Sequence, residues 1–481
     1  MSAATIRGFS IEQTVQGSRE PVPLVDSFEG LGEGFSGPQG TMKSRNPSDD
    51  SLAVGPNNIV QIVNSRMAIY TKKGERYDTT GKVLYGPVVT NTIFAGFGGQ
   101  CEHRTSGDAV VRYDQLAKRW LYVLPIFRRP PDDPKGPYSM CYAVSKGPDP
   151  LGPYYRYEFK RPLFPDYPRP AIWPDGYYVP TSVGDTVIEK QACVADRSKM
   201  LQGLPATEQC VLINGVNFLL NSDIDGQALP PEGAPNIMMA AGGTQLKGRF
   251  EDDGIYVYKM HVDWVDPSKT SVSPPRKIAV APYHYLCNGQ LTKCVSQPGT
   301  DIRLDAQGDK LMQRLVYRKI GRHEWIAGLH SIDTKGGGGG VRWYEFKLDK
   351  HRDPQLYQQG TYAPGGFYRW MPSIGIDRKG DIGIGYSFGG DPDYAGQRFA
   401  ARLAKDPRGV LTFKETVLAE GHAAQTNTLR WEDYTTTAMD PSDGCTFWYV
   451  GDYIQSAGES YRTRIGGFRV PGCSRKHWGL F

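Results

Sequence analysis

The segment GRHEWIAGLHSID, from Gly321 to Asp333, concentrates acid–base side chains. The chain has eight histidines, and two of them, His323 and His330, fall here beside Glu324. Imidazoles and carboxyls exchange protons readily, so Glu324 and His330 are candidates for general acid–base work. In a regular strand Glu324 and His330 share a face, while His323 and His330 point to opposite faces. Zinc-protease spacing needs a second histidine four residues after the first on a helix, and this segment lacks it. A metal or redox centre would need a bulge or loop to unite the imidazoles, and its further ligands are not apparent.

A second set stands where arginine precedes tryptophan, in FYRWMPS with Arg369 and in TLRWEDYT with Arg430, Asp433 and Tyr434. Guanidiniums neutralise carboxylates, and aspartate or tyrosine can serve as acid, base or nucleophile. A third set has metal-ligand spacing. NSDIDGQALPPE puts Asn221, Asp223, Asp225, Gly226 and Glu232 at positions 1, 3, 5, 6 and 12 of a calcium loop. Two prolines and non-helical flanks argue against an EF-hand, so Asn221, Asp223 and Asp225 are the expected ligands of a non-EF Ca²⁺ site. The other reading is a surface turn capped by its aspartates.

These residues must be positioned by strands, because helical periodicity is almost absent. A small or hydroxyl residue, a short alternating strand, a turn and a second strand recur with starts near 51, 109, 171, 236, 314, 373 and 436. Such near-regular spacing predicts an all-β, seven-bladed β-propeller with long decorating loops. A β-sandwich is the competing fold and leaves the spacing unexplained. Residues 46–481 are read as one propeller and 1–45 as an N-terminal strap or closing strand, with VPLVDSFEGL available to pair with the last blade. If the repeats are in phase, the segments entering the first strands meet on one face, bringing Asp50, Asp166, Asn236, Arg369, Arg430, Asp433 and Tyr434 toward one pocket.

Composition limits the alternatives. With 28 Tyr, 18 Phe and 9 Trp, the high Gly and Pro content signals turns rather than disorder. The formal charge of +5 is dispersed, against nucleic-acid binding. No apolar run is long enough to span a membrane. Eight cysteines without a CxxC pair suggest disulfides, with Cys101–Cys141, Cys193–Cys210, Cys287–Cys294 and Cys445–Cys473 as natural partners. A secreted or periplasmic protein is expected, its leader absent from the chain.

The phrases SLAVGPNNIVQIVN, DYPRPAIWPDGYY, RWMPSIGID and DYTTTAMDPSDGCTFWY resemble secreted bacterial sialidase-like (BNR-like) propeller proteins over most of the chain beyond residue 45. The aspartate-rich turns DRKGD and DPSDG look like the structural turns of sialidase-type propellers, which makes Asp377 and Asp440 poor catalytic candidates. The resemblance implies a glycosidase, a polysaccharide lyase or a binding protein. A sialidase would use three arginines, for which Arg369, Arg430 and Arg318 or Arg112 are available, but the FRIP motif and the SxDxGxTW form are missing. The expected function is therefore a carbohydrate-active enzyme, hydrolase or lyase, with a carbohydrate ligand. The alternative is a non-catalytic propeller that binds glycans or a protein. A hydrolase would use Glu324 and Asp433, and a lyase His330, Tyr434 and Arg369.

Overall fold

The computed structural model describes residues 11–183, 189–216, 218–243, 252–289 and 293–473. Short antiparallel meanders follow one another along the chain. The first runs Ser51–Val54, Asn58–Val63, Arg66–Thr71 and Val83–Val89. The second runs Val110–Asp114, Arg119–Ile126, Tyr138–Ser145 and Tyr154–Arg161. The third opens at Ala171–Trp173 and the fourth at Leu220–Ile224. The fifth opens at Leu315–Ile320, the sixth at Tyr368–Ile376 and the last at Thr436–Met439.

The opening strands are the innermost. Ser51–Val54 packs beside Val110–Asp114, Ala171–Trp173 beside Leu220–Ile224, and Tyr368–Ile376 beside Thr436–Met439. Thr436–Met439 returns beside Ser51–Val54, which closes the circuit. This is a β-propeller. Opening strands such as SLAV and TTAM are buried at every residue, because neighbours crowd them on both faces. Large aromatics fill the seams: Trp120, Trp173, Trp343, Trp370 and Trp431 are all essentially inaccessible.

The fourth unit departs most from its expected start, and the sixth opens five residues early at Tyr368. The fourth opens at Leu220–Ile224, and Asn236–Ala241 is its second strand. Polar residues in LNSDI read as a turn, yet Leu220–Ile224 also pairs in parallel with Leu315–Ile320, fusing two units into a ten-stranded sheet. Backbone pairing and burial outweigh the turn preference of Asn, Ser and Asp here.

Residues 11–29 run along the outer edges of the last three units. Glu12–Gln13 pairs with Pro354–Tyr362, Arg19 bridges Phe413, and Leu24–Glu29 adds an antiparallel strand outside Arg462–Arg469. The final sheet thus takes strands from both ends of the chain. Lys72 of the first unit meets Asp440 of the last at 2.7 Å, with both side chains buried. The eight cysteines form the four expected bridges, a pattern suited to an oxidising, extracytoplasmic compartment. No described helix is long and apolar enough to cross a membrane.

Candidate active site at one end of the propeller axis

The loops entering the innermost strands converge at one end of the axis. Asp49 precedes Ser51 by two residues, Asp108 precedes Val110 by two, Asp166 and Tyr167 precede Ala171, and Arg430 and Asp433 precede Thr436. Together with Asn64, Ser106, Phe127, Phe218 and Gln307 they line a cavity of about 250 Å³. The backbone reverses sharply at these positions. Asp49, Asp108, Tyr167, Gln307 and Asp433 have φ of 52°, 51°, 52°, 46° and 65°. Left-handed conformations are uncommon outside glycine and collect at functional sites.

The cavity is acidic. Burial, then Asp108 and Asp433, push Asp49 well above the usual carboxylate range. Asp108 is pushed up to about 7 by burial and then by Asp166. Asp305, behind the rim, is raised by burial and then by Asp433. One Oδ of Asp49 accepts from Asn64 at 2.9 Å, while the other has no hydrogen-bond partner among the described residues. Asp433 is bonded to the Arg430 guanidinium and accepts from Gln307 Nε2 at 3.0 Å. Burial disfavours charge on Arg430, but Asp433 and Asp305 more than compensate and raise its pKa.

Beneath these groups Arg169 lies between two rings, 3.3 Å from the centroid of Tyr167 and 3.7 Å from that of Tyr434. Its Nη1 donates to the Pro168 carbonyl at 2.6 Å. Phe127, Tyr167 and Phe218 supply apolar wall to the cavity. A second, larger groove of about 620 Å³ shares Asn64, Ser106 and Phe127 with it, and is lined by Arg45, Arg66, Arg104 and Arg128 with His103. An acidic cavity therefore opens into a basic groove.

Of the residues singled out from sequence, Asp166, Arg430 and Asp433 face this cavity. Tyr434 is fully buried below it, and burial raises its hydroxyl well above the ordinary value, which disfavours a phenolate nucleophile. Arg369 lies elsewhere. Its Nε donates to Glu415 at 2.7 Å and its Nη1 to the Pro364 carbonyl at 2.6 Å, and it is 2% exposed. His323 and Glu324 begin the strand His323–Asp333 at the far end of the fifth unit. Glu324 accepts from the Tyr317 hydroxyl at 2.7 Å and pairs with Arg352 at 2.9 Å. His330 is six residues along that strand, roughly 20 Å away at strand rise. It is fully buried, bonded to the Tyr344 hydroxyl at 2.9 Å and packed on Tyr283 and Tyr285. Burial, with Arg342 next, lowers its pKa to about 3, so it is a neutral core histidine. Sharing a face placed Glu324 and His330 on one side of a sheet but not within reach of one substrate bond.

Asn221, Asp223 and Asp225 do not wrap a calcium loop, because residues 220–224 form a strand. Asn221 donates to Asn236 at 2.9 Å. Asp223 accepts from Arg314 Nε at 2.6 Å and lies 3.4 Å from Arg112. Asp225 takes both terminal nitrogens of Arg314, at 2.9 and 3.1 Å. Guanidiniums thus supply the positive charge that spacing assigned to a metal. In the entering segments, Asp49 rather than Asp50 faces the cavity, and Asn236 lies inside a sheet.

No protein-family model matches the chain, and no curated protein does. Solved structures with a similar course include Drosophila Semaphorin 1b, extracellular domains 1–2, at 8% identity and TM-score 0.39, covering 94% of this chain and 88% of that one. A subtype N10 neuraminidase-like protein of A/little yellow-shouldered bat/Guatemala is 8% identical with TM-score 0.36, covering 76% and 97%. The Penicillium chrysogenum alpha-L-arabinanase complexed with arabinobiose is 8% identical with TM-score 0.34, covering 89% and 96%.

Sequence reasoning missed Asp49, Asp108, Tyr167 and Arg169. A signal existed: PSDD, SGDA and WEDY each place an aspartate two or three residues before a small-residue strand. Comparing the entering segments two to three residues ahead of each first strand picks out Asp49, Asp108 and Asp433 together.

Proposed function

We propose that the protein is an extracytoplasmic glycan hydrolase, related to the sialidase-like propellers in architecture and acting at the acidic end of a seven-bladed axis. One observation carries this reading. Asp108 and Asp433, from separate loops, line one cavity in which Asp108 is pushed up to about 7 and Asp433 is bonded to Arg430. Glycoside hydrolysis needs two carboxyl groups in opposite roles, and their environments assign them. Asp108 donates the proton to the departing glycosidic oxygen. Asp433 acts as the carboxylate that attacks the anomeric carbon or activates water. Asp49 lines the same cavity, and burial followed by Asp108 and Asp433 raises its own pKa. Phe127, Tyr167 and Phe218 offer flat apolar surface to sugar rings.

The adjoining groove favours an anionic glycan. Four arginines lining the groove attract carboxylate or sulfate groups and leave the neighbouring carboxyls to the scissile bond. A lyase would unite tyrosine, histidine and arginine, and His330 and Arg369 lie away from the cavity. The test is a panel of uronate-containing, sulfated and neutral polysaccharides, assayed for new reducing ends and for the ultraviolet absorbance of an unsaturated uronate. Reducing ends without that absorbance, on anionic substrates, are expected. Unsaturated product would make the protein a lyase, and tight binding without cleavage would make it a glycan-binding propeller.

A further inference from the structure

We propose that Asp50, Glu432 and Asp452 hold a Ca²⁺ ion in the seam where the last sheet meets the first. The three side chains come from separate places: the loop entering the first sheet, the loop entering the last, and the second strand of the last. They are 0%, 0% and 1% exposed, and one oxygen from each lies within 4.8 Å of the others. Two ligands of one Ca²⁺ are at most about 5 Å apart at the usual Ca–O lengths, so the cluster has the right size.

Among the described residues no cationic side chain is paired with these carboxyls. The groups that donate to these carboxyls are neutral. Gln61 donates to Asp50 at 3.2 Å; Ser387, Gln397 and the Asp452 main chain donate to Glu432 at 2.9, 2.8 and 2.8 Å. Three carboxyl groups without a cation are costly to bury, and the axis shows the alternative solution, where Arg314 meets Asp223 and Asp225.

Independent oxygens point the same way. Among the described residues Asp50 Oδ2, Asp452 Oδ1, Ser48 Oγ and the Tyr461 hydroxyl have no well-formed hydrogen bond, while Asp50 and Ser48 stand within reach of Asp452 and Tyr461 within reach of the Arg45 main chain. Ser48 and Tyr461 are both fully buried, Ser48 beside Asp452 and Tyr461 within the field of Asp452 and Asp50. An all-oxygen set with several carboxylates suits a hard cation of flexible coordination, Ca²⁺ before Mg²⁺. Among the described residues the two other acidic or thiol groupings of this size include bridged cysteines, which cannot ligate. The ion would fasten the first and last sheets together, one residue from Asp49 on one loop and from Asp433 on the other.

The test uses the full chain. Protein purified without chelator is analysed for metals, then stripped with EGTA and titrated with CaCl₂ or MgCl₂ by calorimetry, with thermal midpoints recorded throughout. Expected are one calcium per chain, a preference for calcium, and a midpoint several degrees higher with calcium. Asp452→Asn should abolish both binding and shift. If that variant does not fold, Tyr461→Phe, which keeps all carboxyls, should weaken calcium binding about tenfold. Three outcomes overturn the proposal: no retained calcium with an unchanged midpoint, calcium binding that survives both variants, or binding lost in Asp49→Asn but not in Asp452→Asn.

Discussion

The main-chain N–H of Asp49 donates to the carbonyl of Glu432 at 2.8 Å, stitching the loop that enters the first sheet to the loop that enters the last. The next bond continues the stitch, from Asp50 N–H to the Tyr434 carbonyl at 3.2 Å. Each loop carries two adjacent acidic residues and splits them. Asp49 and Asp433 face the cavity, while Asp50 and Glu432 turn into the buried seam. Left-handed φ values at Asp49, Glu432 and Asp433 make that division possible.

Replacing the two cavity carboxyls should separate chemistry from folding. Asp108→Asn and Asp433→Asn are expected to lower kcat by about 10²- to 10⁴-fold on the best anionic substrate. The thermal midpoint of Asp108→Asn should change little, because Asp108 is half-buried at the cavity wall. An Asp108→Asn enzyme with full kcat would remove Asp108 as the proton donor.

The pH profile follows from the same group. Asp108 must carry its proton to act as acid, and its pKa lies at about 7. The kcat/KM should therefore fall above about pH 7, roughly tenfold per unit. Steady-state kinetics from pH 5 to 9 would check this, and the limb should be absent from the residual activity of Asp108→Asn.

The basic groove should govern affinity for anionic substrate. Arg66→Glu and Arg104→Glu are expected to raise KM for a uronate or sulfated glycan with kcat nearly unchanged. Added salt should raise wild-type KM in the same direction, since exposed charges are screened beyond about 8 Å at physiological ionic strength. Equal effects on a neutral glycan would show that the groove acts by shape.

The two Arg–Trp pairs should behave differently. Arg369 and Glu415 form a buried ion pair, with 2% and 6% side-chain exposure, so Arg369→Ala is expected to cost about 3–5 kcal/mol. Denaturant unfolding measures that. Arg430 is 35% exposed and bonded to Asp433, so Arg430→Ala should chiefly reduce kcat. A variant pair with the reverse pattern would reassign both arginines.

His330 should appear in stability rather than catalysis. Its folded pKa is lowered from 6.5 to about 3, so the unfolded chain binds the proton first as pH falls. The contribution is complete above about pH 6.5 and is lost progressively toward pH 3. Melting curves across that range should flatten in His330→Gln, while kcat at neutral pH stays near wild type.

Sequence alone determined the all-β class and the repeat, and offered the cysteine pairs that the structure joins. Alternating apolar runs, turn residues and near-constant spacing are local signals that every sheet of this chain repeats. It also picked out Arg430 and Asp433, because a polar cluster ahead of a small-residue strand is visible along the chain. It could not rank Arg369 against Arg430, whose contexts read alike. Only the tertiary structure decided that Glu415 neutralises one while the other faces a cavity. Likewise Asp49 and Asp50 are neighbours of one type, and a single backbone reversal sends one to the cavity and the other into the seam. Asp223 and Asp225 have metal spacing, yet Arg314, from another unit, lies against them. Charge compensation is set by what folding brings near, and residues from distant loops are invisible to any reading confined to spacing.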